Sequence, residues 1–132
     1  MTPEGLIATQ SPHGPAETAE RLVAAVTARG MTVFARIDHA AGAASVGMAL
    51  DPTEVVIFGA PKGGTPLMQA AQTAGIDLPL KALVWRDGAG VTWLGYNDPA
   101  WIARRHGADA ATGPVEAMGK ALAAIAAEVT AA

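Results

Sequence analysis

The chain has 132 residues, of which 51% are hydrophobic and 16% charged, with a formal net charge of −3. That length is one domain, 1–132, by the usual size prior, and it carries enough apolar side chain to withdraw roughly two thirds of its unfolded surface from water, which excludes a disordered chain. The absence of cysteine excludes disulfides, thiolate zinc sites, iron–sulfur clusters and cysteine nucleophiles, and an acidic balance without a basic stripe argues against nucleic acid as a partner.

Met1 to Gly5 has neither a basic start nor an apolar stretch, so it does not read as a signal peptide. No apolar run reaches the length needed to span a bilayer. The expectation is a soluble, cytoplasmic protein with no membrane partner.

Leu6–Gln10 reads as a first strand, broken by Pro12 and Pro15. Pro15 suits the first position of a helix. Ala19, Leu22, Val23 and Val26 then recur at helical spacing, and Gly30 is placed to end the helix in the left-handed conformation. Met31 to Ile37 alternates, with Val33, Ala35 and Ile37 on one face, and predicts a second strand. Asp38 can cap a short helix from His39 to about Ser45. Glu54 to Phe58 is a third strand without alternation, which suggests burial on both faces or a central position in the sheet.

That strand runs into Phe58-Gly59-Ala60-Pro61-Lys62-Gly63-Gly64-Thr65-Pro66-Leu67-Met68, where the chain concentrates its unusual residues. Thr65 is the expected N-cap and Pro66 the expected first residue of the helix that leaves it. Leu67, Ala70, Ala71 and Ala74 form its apolar stripe, and Gly75 ends it. Lys81–Trp85 and Val91–Tyr96 predict a hairpin, with Trp85 and Trp93 as a cross-strand pair. Asp98 and Pro99 open a short helix to His106, stopped by Gly107, and residues 107–113 read as a mobile loop. A last helix, from about 114 to 130, carries Val115, Met118, Leu122, Ile125 and Val129 on one stripe. That stripe suits either the core or a second subunit. Together the elements predict an α+β fold: a two-layer α/β sandwich, with a mixed five-stranded sheet, helices mainly on one face and a C-terminal helix.

The strand-to-helix corner is the first candidate site. Gly63 and Gly64 would let backbone amides approach a ligand, Lys62 would add charge, and Thr65 could donate a hydroxyl, which together suit an anion. The competing reading is a tight turn that needs glycine for its geometry, with Lys62 in water, and turn glycines far outnumber phosphate loops. The order of residues is neither a Walker A loop nor GxGxxG. His13, His39 and His106 lack any metal-ligand spacing, so no metal is expected. His39, beside Asp38 at a strand end, is the most site-like of the three. No cofactor motif is present, and no cofactor is expected.

The corner motif, followed by Asp77-Leu78-Pro79-Leu80-Lys81 and by Tyr96-Asn97-Asp98-Pro99 with His106, resembles the bacterial and archaeal domain-of-unknown-function 302 family (DUF302). The likeness runs from about Leu6 to His106. It implies a two-layer α/β sandwich and compact, often dimeric members, and it implies no catalytic residue. Where that family usually has asparagine, this chain has Ala60.

The reading that results is a non-enzymatic module for a small anionic ligand or metabolite. Its site comprises Pro61, Lys62, Gly63, Gly64, Thr65 and Met68, with Asp38, His39, Tyr96 and His106 as wall residues if the fold brings them near. The alternatives are a homodimeric interaction protein built on the last helix or the hairpin, and an enzyme that uses Lys62 or His39 as acid or base.

Overall fold

A computed structural model describes residues 2–108 and 111–132. In chain order the elements are β1 (Leu6–Ser11), α1 (Pro15–Ala28), β2 (Thr32–Asp38), α2 (His39–Ser45), β3 (Thr53–Gly59), α3 (Pro61–Ala70), a 3₁₀ turn (Gln72–Ile76), β4 (Leu80–Arg86), β5 (Thr92–Asn97), α4 (Pro99–His106) and α5 (Thr112–Val129). The strands form one five-stranded sheet in the order β1-β5-β4-β3-β2.

All four pairings are antiparallel, which corrects the expected mixed sheet. β1 and β2 do run in the same direction, as a β-α-β reading requires. They lie at opposite edges, however, because α1 carries the chain across the whole sheet. From β2 onward each strand pairs with the next, and β5 closes against β1. Sequence spacing registers the α1 crossover but not how many strands it passes over.

One face of the sheet carries the core. Leu22 and Val26 of α1, Val56 and Phe58 of β3, Val84, Leu94, and Leu122, Ile125 and Val129 of α5 are each at most 2% exposed and belong to one cluster. The α5 stripe therefore packs inward, against α1 and the sheet, and is not left for a second subunit. Arg21 of α1 holds the far end of α5 by donating to the Val129 and Glu128 carbonyls, at 2.8 and 3.1 Å, as a cation at a helix C-terminus should.

The opposite face holds Val55, Ile57, Leu83, Trp85 and Trp93, all half-buried. Trp85 and Trp93 stack with ring centroids 6.3 Å apart, as the hairpin spacing predicts. Gly95 is the reason the stack fits: a Cβ there would lie 2.9 Å from the Trp85 ring.

Three local expectations are corrected. β2 has an irregularity between Val33 and Ala35, so Val33 does not share a face with Ala35 and Ile37; it joins Arg36, which reaches Glu20 of α1 and Glu54 at 2.8 and 2.7 Å. β3 does alternate in burial, with Val56 and Phe58 buried and Val55 and Ile57 half-buried, because the main core lies on one side of the sheet. α5 begins at Thr112, two residues early. Of the expected mobile loop, Asp109 and Ala110 lie outside the described residues. Asp98 caps α4 through the Ala100 N–H, Asp38 caps α2 through the Ala41 N–H, and Gly30 and Gly107 take positive φ where helices end.

Candidate functional site

α3 begins at Pro61, four residues before the expected cap. Pro61 is therefore the proline at the helix start, where its missing N–H costs nothing, and Pro66 lies inside the helix. Having no N–H, Pro66 cannot donate to the Lys62 carbonyl one turn back. Gly63 and Gly64 sit in the first helical turn, and both donate to the Ala60 carbonyl, at 3.0 and 3.4 Å. Two of the amides that would have addressed an anion are thus already engaged. Ala60 is the N-cap, with no side-chain cap bond. An asparagine at this position would be among the best N-capping residues, whereas alanine offers the first amides of α3 no side-chain acceptor.

Neither Gly63 nor Gly64 has positive φ. A Cβ at Gly63 would meet nothing within 4 Å, and one at Gly64 would meet only Leu78 and Met68, at 3.6 and 3.8 Å. Backbone geometry therefore does not demand these glycines, contrary to the tight-turn reading. What they do is leave room.

The room is a pocket of about 510 Å³. The corner from Gly59 to Pro66, with Met68, forms one wall; Leu78, Pro79 and Leu80 form a second; Met31 and Phe34, at the start of the β2 edge, form a third. Pro114, Ala117, Met118 and Ala121 of α5 complete it. Among the described residues, its lining side chains are apolar except for Lys62 and Thr65, and Lys62 is the one charge. An apolar enclosure with few polar groups is the usual character of a small-molecule site. Three of its side chains are methionines, which adapt to irregular shapes.

All six corner residues named from the sequence, Pro61, Lys62, Gly63, Gly64, Thr65 and Met68, line this pocket. Asp38, His39, Tyr96 and His106 do not. β2 enters beside Gly59 and leaves beside Glu54, which puts Asp38 and His39 about 20 Å along the strand from the pocket end. His39 is exposed, and the Asp38 carboxylate is used as a helix cap. Tyr96 is 7% exposed within the main core; burial, with a smaller push from Asp98, raises its pKa.

His106 stands in a separate polar cluster. Its Nε2 lies 2.6 Å from Asp77 Oδ2 and its Nδ1 lies 2.9 Å from Thr73 Oγ1. Arg105 donates to both Asp77 carboxylate oxygens, at 2.8 and 2.7 Å. Burial pushes the Asp77 carboxyl up, but hydrogen bonds and charge from His106 and Arg105 outweigh it and hold the group below the ordinary aspartate range. The cluster ties the end of α4 to the 3₁₀ turn, one residue before Leu78 enters the pocket wall. Asp77 and His106 both lie in the quoted motifs; Thr73 and Arg105 carry no such signal. Among the described residues, Lys62 makes no ion pair or side-chain hydrogen bond, and no three His, Cys, Asp or Glu side chains gather as metal ligands.

The family described as "Domain of unknown function DUF302" matches residues 7–128. A crystal structure of an uncharacterized conserved DUF302 protein from Bacillus stearothermophilus superposes with a TM-score of 0.86, over 96% of this chain and 99% of that one, at 20% identity; that likeness concerns the fold. Two curated relatives, each named "Fluoride-specific ion channel FluC 1", come from Brucella suis biovar 1 (strain 1330) and Brucella abortus biovar 1 (strain 9-941). Each is 54% identical over 102 residues, 77% of this chain. The chain spans only 40% and 38% of their lengths. Among the described residues, no helix is long and apolar enough to cross a membrane.

Proposed function

The chain belongs to the DUF302 family, whose name assigns no activity, and we propose that it is a soluble, cytoplasmic, non-enzymatic module that binds a small ligand at the Gly59–Met68 corner. The observation that carries this reading is the 510 Å³ pocket whose wall the corner forms, together with glycines that neither packing nor dihedral angles require. Thr65 can offer its hydroxyl and Lys62 its charge to a polar end of the ligand. A thermal-shift screen of metabolites and anions tests it: hits that raise the melting temperature of the wild type and not of Ala121→Phe support it, and a screen without any such hit overturns it.

A second reading is favoured by the exposed apolar side chains of the β2–β3 excursion. Phe34, Ile37, Val46, Met48 and Leu50 are 42–71% exposed, and β2 is a sheet edge, a place where strands recruit one another. We propose a homodimer joined at this edge rather than through α5, whose stripe is consumed by the core. Light scattering that reports a monomer at millimolar concentration removes it.

The two relatives add a setting. In proteins named for a fluoride channel, a segment like this one accounts for about two fifths of the chain, and we propose that it serves there as an accessory module. Fluoride itself is a poor match for this pocket, because a small, strongly hydrated anion needs several donors, and among the described residues the lining side chains offer one ammonium group and one hydroxyl.

A further inference from the structure

We infer that the ligand of this pocket is a single-chain amphiphile: a flexible saturated hydrocarbon chain that ends in a carboxylate. The inference rests on the proposed binding role and goes beyond it by naming the chemical class.

The walls set the body of the ligand. Met31, Phe34, Met68, Leu78, Met118 and Ala121 offer neither a hydrogen-bond donor nor an acceptor of any strength in their side chains. A sugar, nucleotide or free phosphate would leave its polar groups unpaired against them. A volume of 510 Å³ exceeds what a two- or three-carbon metabolite fills. Three methionines and an open glycine face suit a chain with many rotamers better than one rigid ring system.

The charges set the head. Lys62 is exposed and, among the described residues, is the one charged residue in the lining. Among the described residues, no acidic side chain lines the pocket, so none of them repels a carboxylate or pairs with a cationic head. Thr65, three residues on, supplies a hydroxyl that can donate to the second carboxylate oxygen. The engaged amides of Gly63 and Gly64 remove the alternative of a phosphate held by a backbone nest. A carboxylate asks less: one ammonium and one hydroxyl.

The experiment is isothermal titration of the full chain with hexanoate, octanoate and decanoate below their micellar concentrations, with decanol below its solubility limit, and with sodium fluoride and inorganic phosphate. The expected result is an affinity that rises about fourfold per methylene along the carboxylates and a negative heat-capacity change. Ala121→Phe should abolish binding of decanoate and decanol alike. Lys62→Ala should weaken decanoate about tenfold and leave decanol unchanged. Ala117→Phe, at the exposed side of the same helix, replaces Ala121→Phe if circular dichroism shows that variant unfolded.

An affinity that does not depend on chain length overturns the inference, as does binding that survives both plugging variants. Equal weakening of decanoate and decanol by Lys62→Ala overturns the assignment of the head. Binding of fluoride or phosphate in place of decanoate, blocked by Ala121→Phe, overturns the ligand class while leaving the pocket as the site. Self-association that Ala121→Phe abolishes gives the pocket to a second copy and overturns both readings. Absence of any ligand, in this series and in the wider screen, also overturns both.

Discussion

β3 supplies two neighbouring apolar spaces that end differently. Its Val56 and Phe58 lie under α1 and the C-terminal half of α5, where Leu22, Val26, Leu122 and Ile125 fill the interior completely. A residue further on, its Gly59 opens the pocket beneath α3 and the N-terminal half of α5. Both spaces are walled by the same strand and the same helix. The filled one is dominated by branched and aromatic side chains; the open one keeps Phe34, Leu78 and Leu80 but takes the rest of its apolar lining from glycine, proline, alanine and methionine. Along α5 the change falls between Ala117 and Ala121, which line the pocket, and Leu122 and Ile125, which fill the core. The lesson is that volume left out of a core can be as specific a feature as volume put in, because close packing is the default for protein interiors.

Mutations on the two sides should separate the spaces. The largest effect is expected from Phe58→Ala, which should cost about 3–5 kcal/mol in urea unfolding because the rigid surround cannot collapse into the gap. Next comes the clamp that ties the end of α4 to the 3₁₀ turn beside the pocket wall. Asp77→Ala should cost about 2 kcal/mol, since it strips His106 and Arg105 of a charged acceptor.

The same carboxylate carries a pH signature. Its folded pKa is depressed, so its stabilisation is complete above the unfolded value of about 3.9 and is lost as pH falls through the lower folded value. Asp77→Asn should therefore flatten that acid limb in a series of unfolding curves from pH 6 to pH 2. An unchanged limb would place the acid sensitivity elsewhere.

Smaller effects belong to the open side, and one has the opposite sign. Ala60→Asn should stabilise the protein by about 1 kcal/mol by capping α3. A gain without loss of ligand binding makes an asparagine here a helix cap; a gain in affinity would make it a ligand contact. Ala121→Phe should cost well under the ~1–3 kcal/mol typical of overpacking a filled core, because the ring enters space already present. The smallest shift is expected from Lys62→Ala, within about 0.5 kcal/mol of wild type, as for an exposed surface residue. A larger loss from Lys62→Ala would show that the lysine supports the fold rather than the site.

Much of this architecture was legible beforehand, and the reasons are local. Pro15, Asp38, Asp98 with Pro99, and Gly107 mark helix ends by fixing φ, accepting from free amides or permitting positive φ. The hydrophobic spacing of α1 and α5 marks their buried faces. Trp85 and Trp93 flank a hairpin loop and so had to face each other. At the corner, two signals competed. Thr65-Pro66 has the form of a helix start, but so does Ala60-Pro61, and the earlier one prevailed because the chain must turn as soon as β3 ends.

The chain's order of residues determined which segments became strands and helices, which sides of α1 and α5 turned inward, and that Gly59–Met68 would stand out. Only the tertiary structure decided that the sheet is wholly antiparallel, that the corner faces an apolar hollow, and that His106 sides with Asp77 and Arg105 instead of joining it. The physical reason is one of range. Capping, dihedral preference and periodicity act within a few residues, whereas a pocket wall shared by Met31, Leu78 and Ala121 is set by how far α1 carries the chain across the sheet and where α5 then comes to rest.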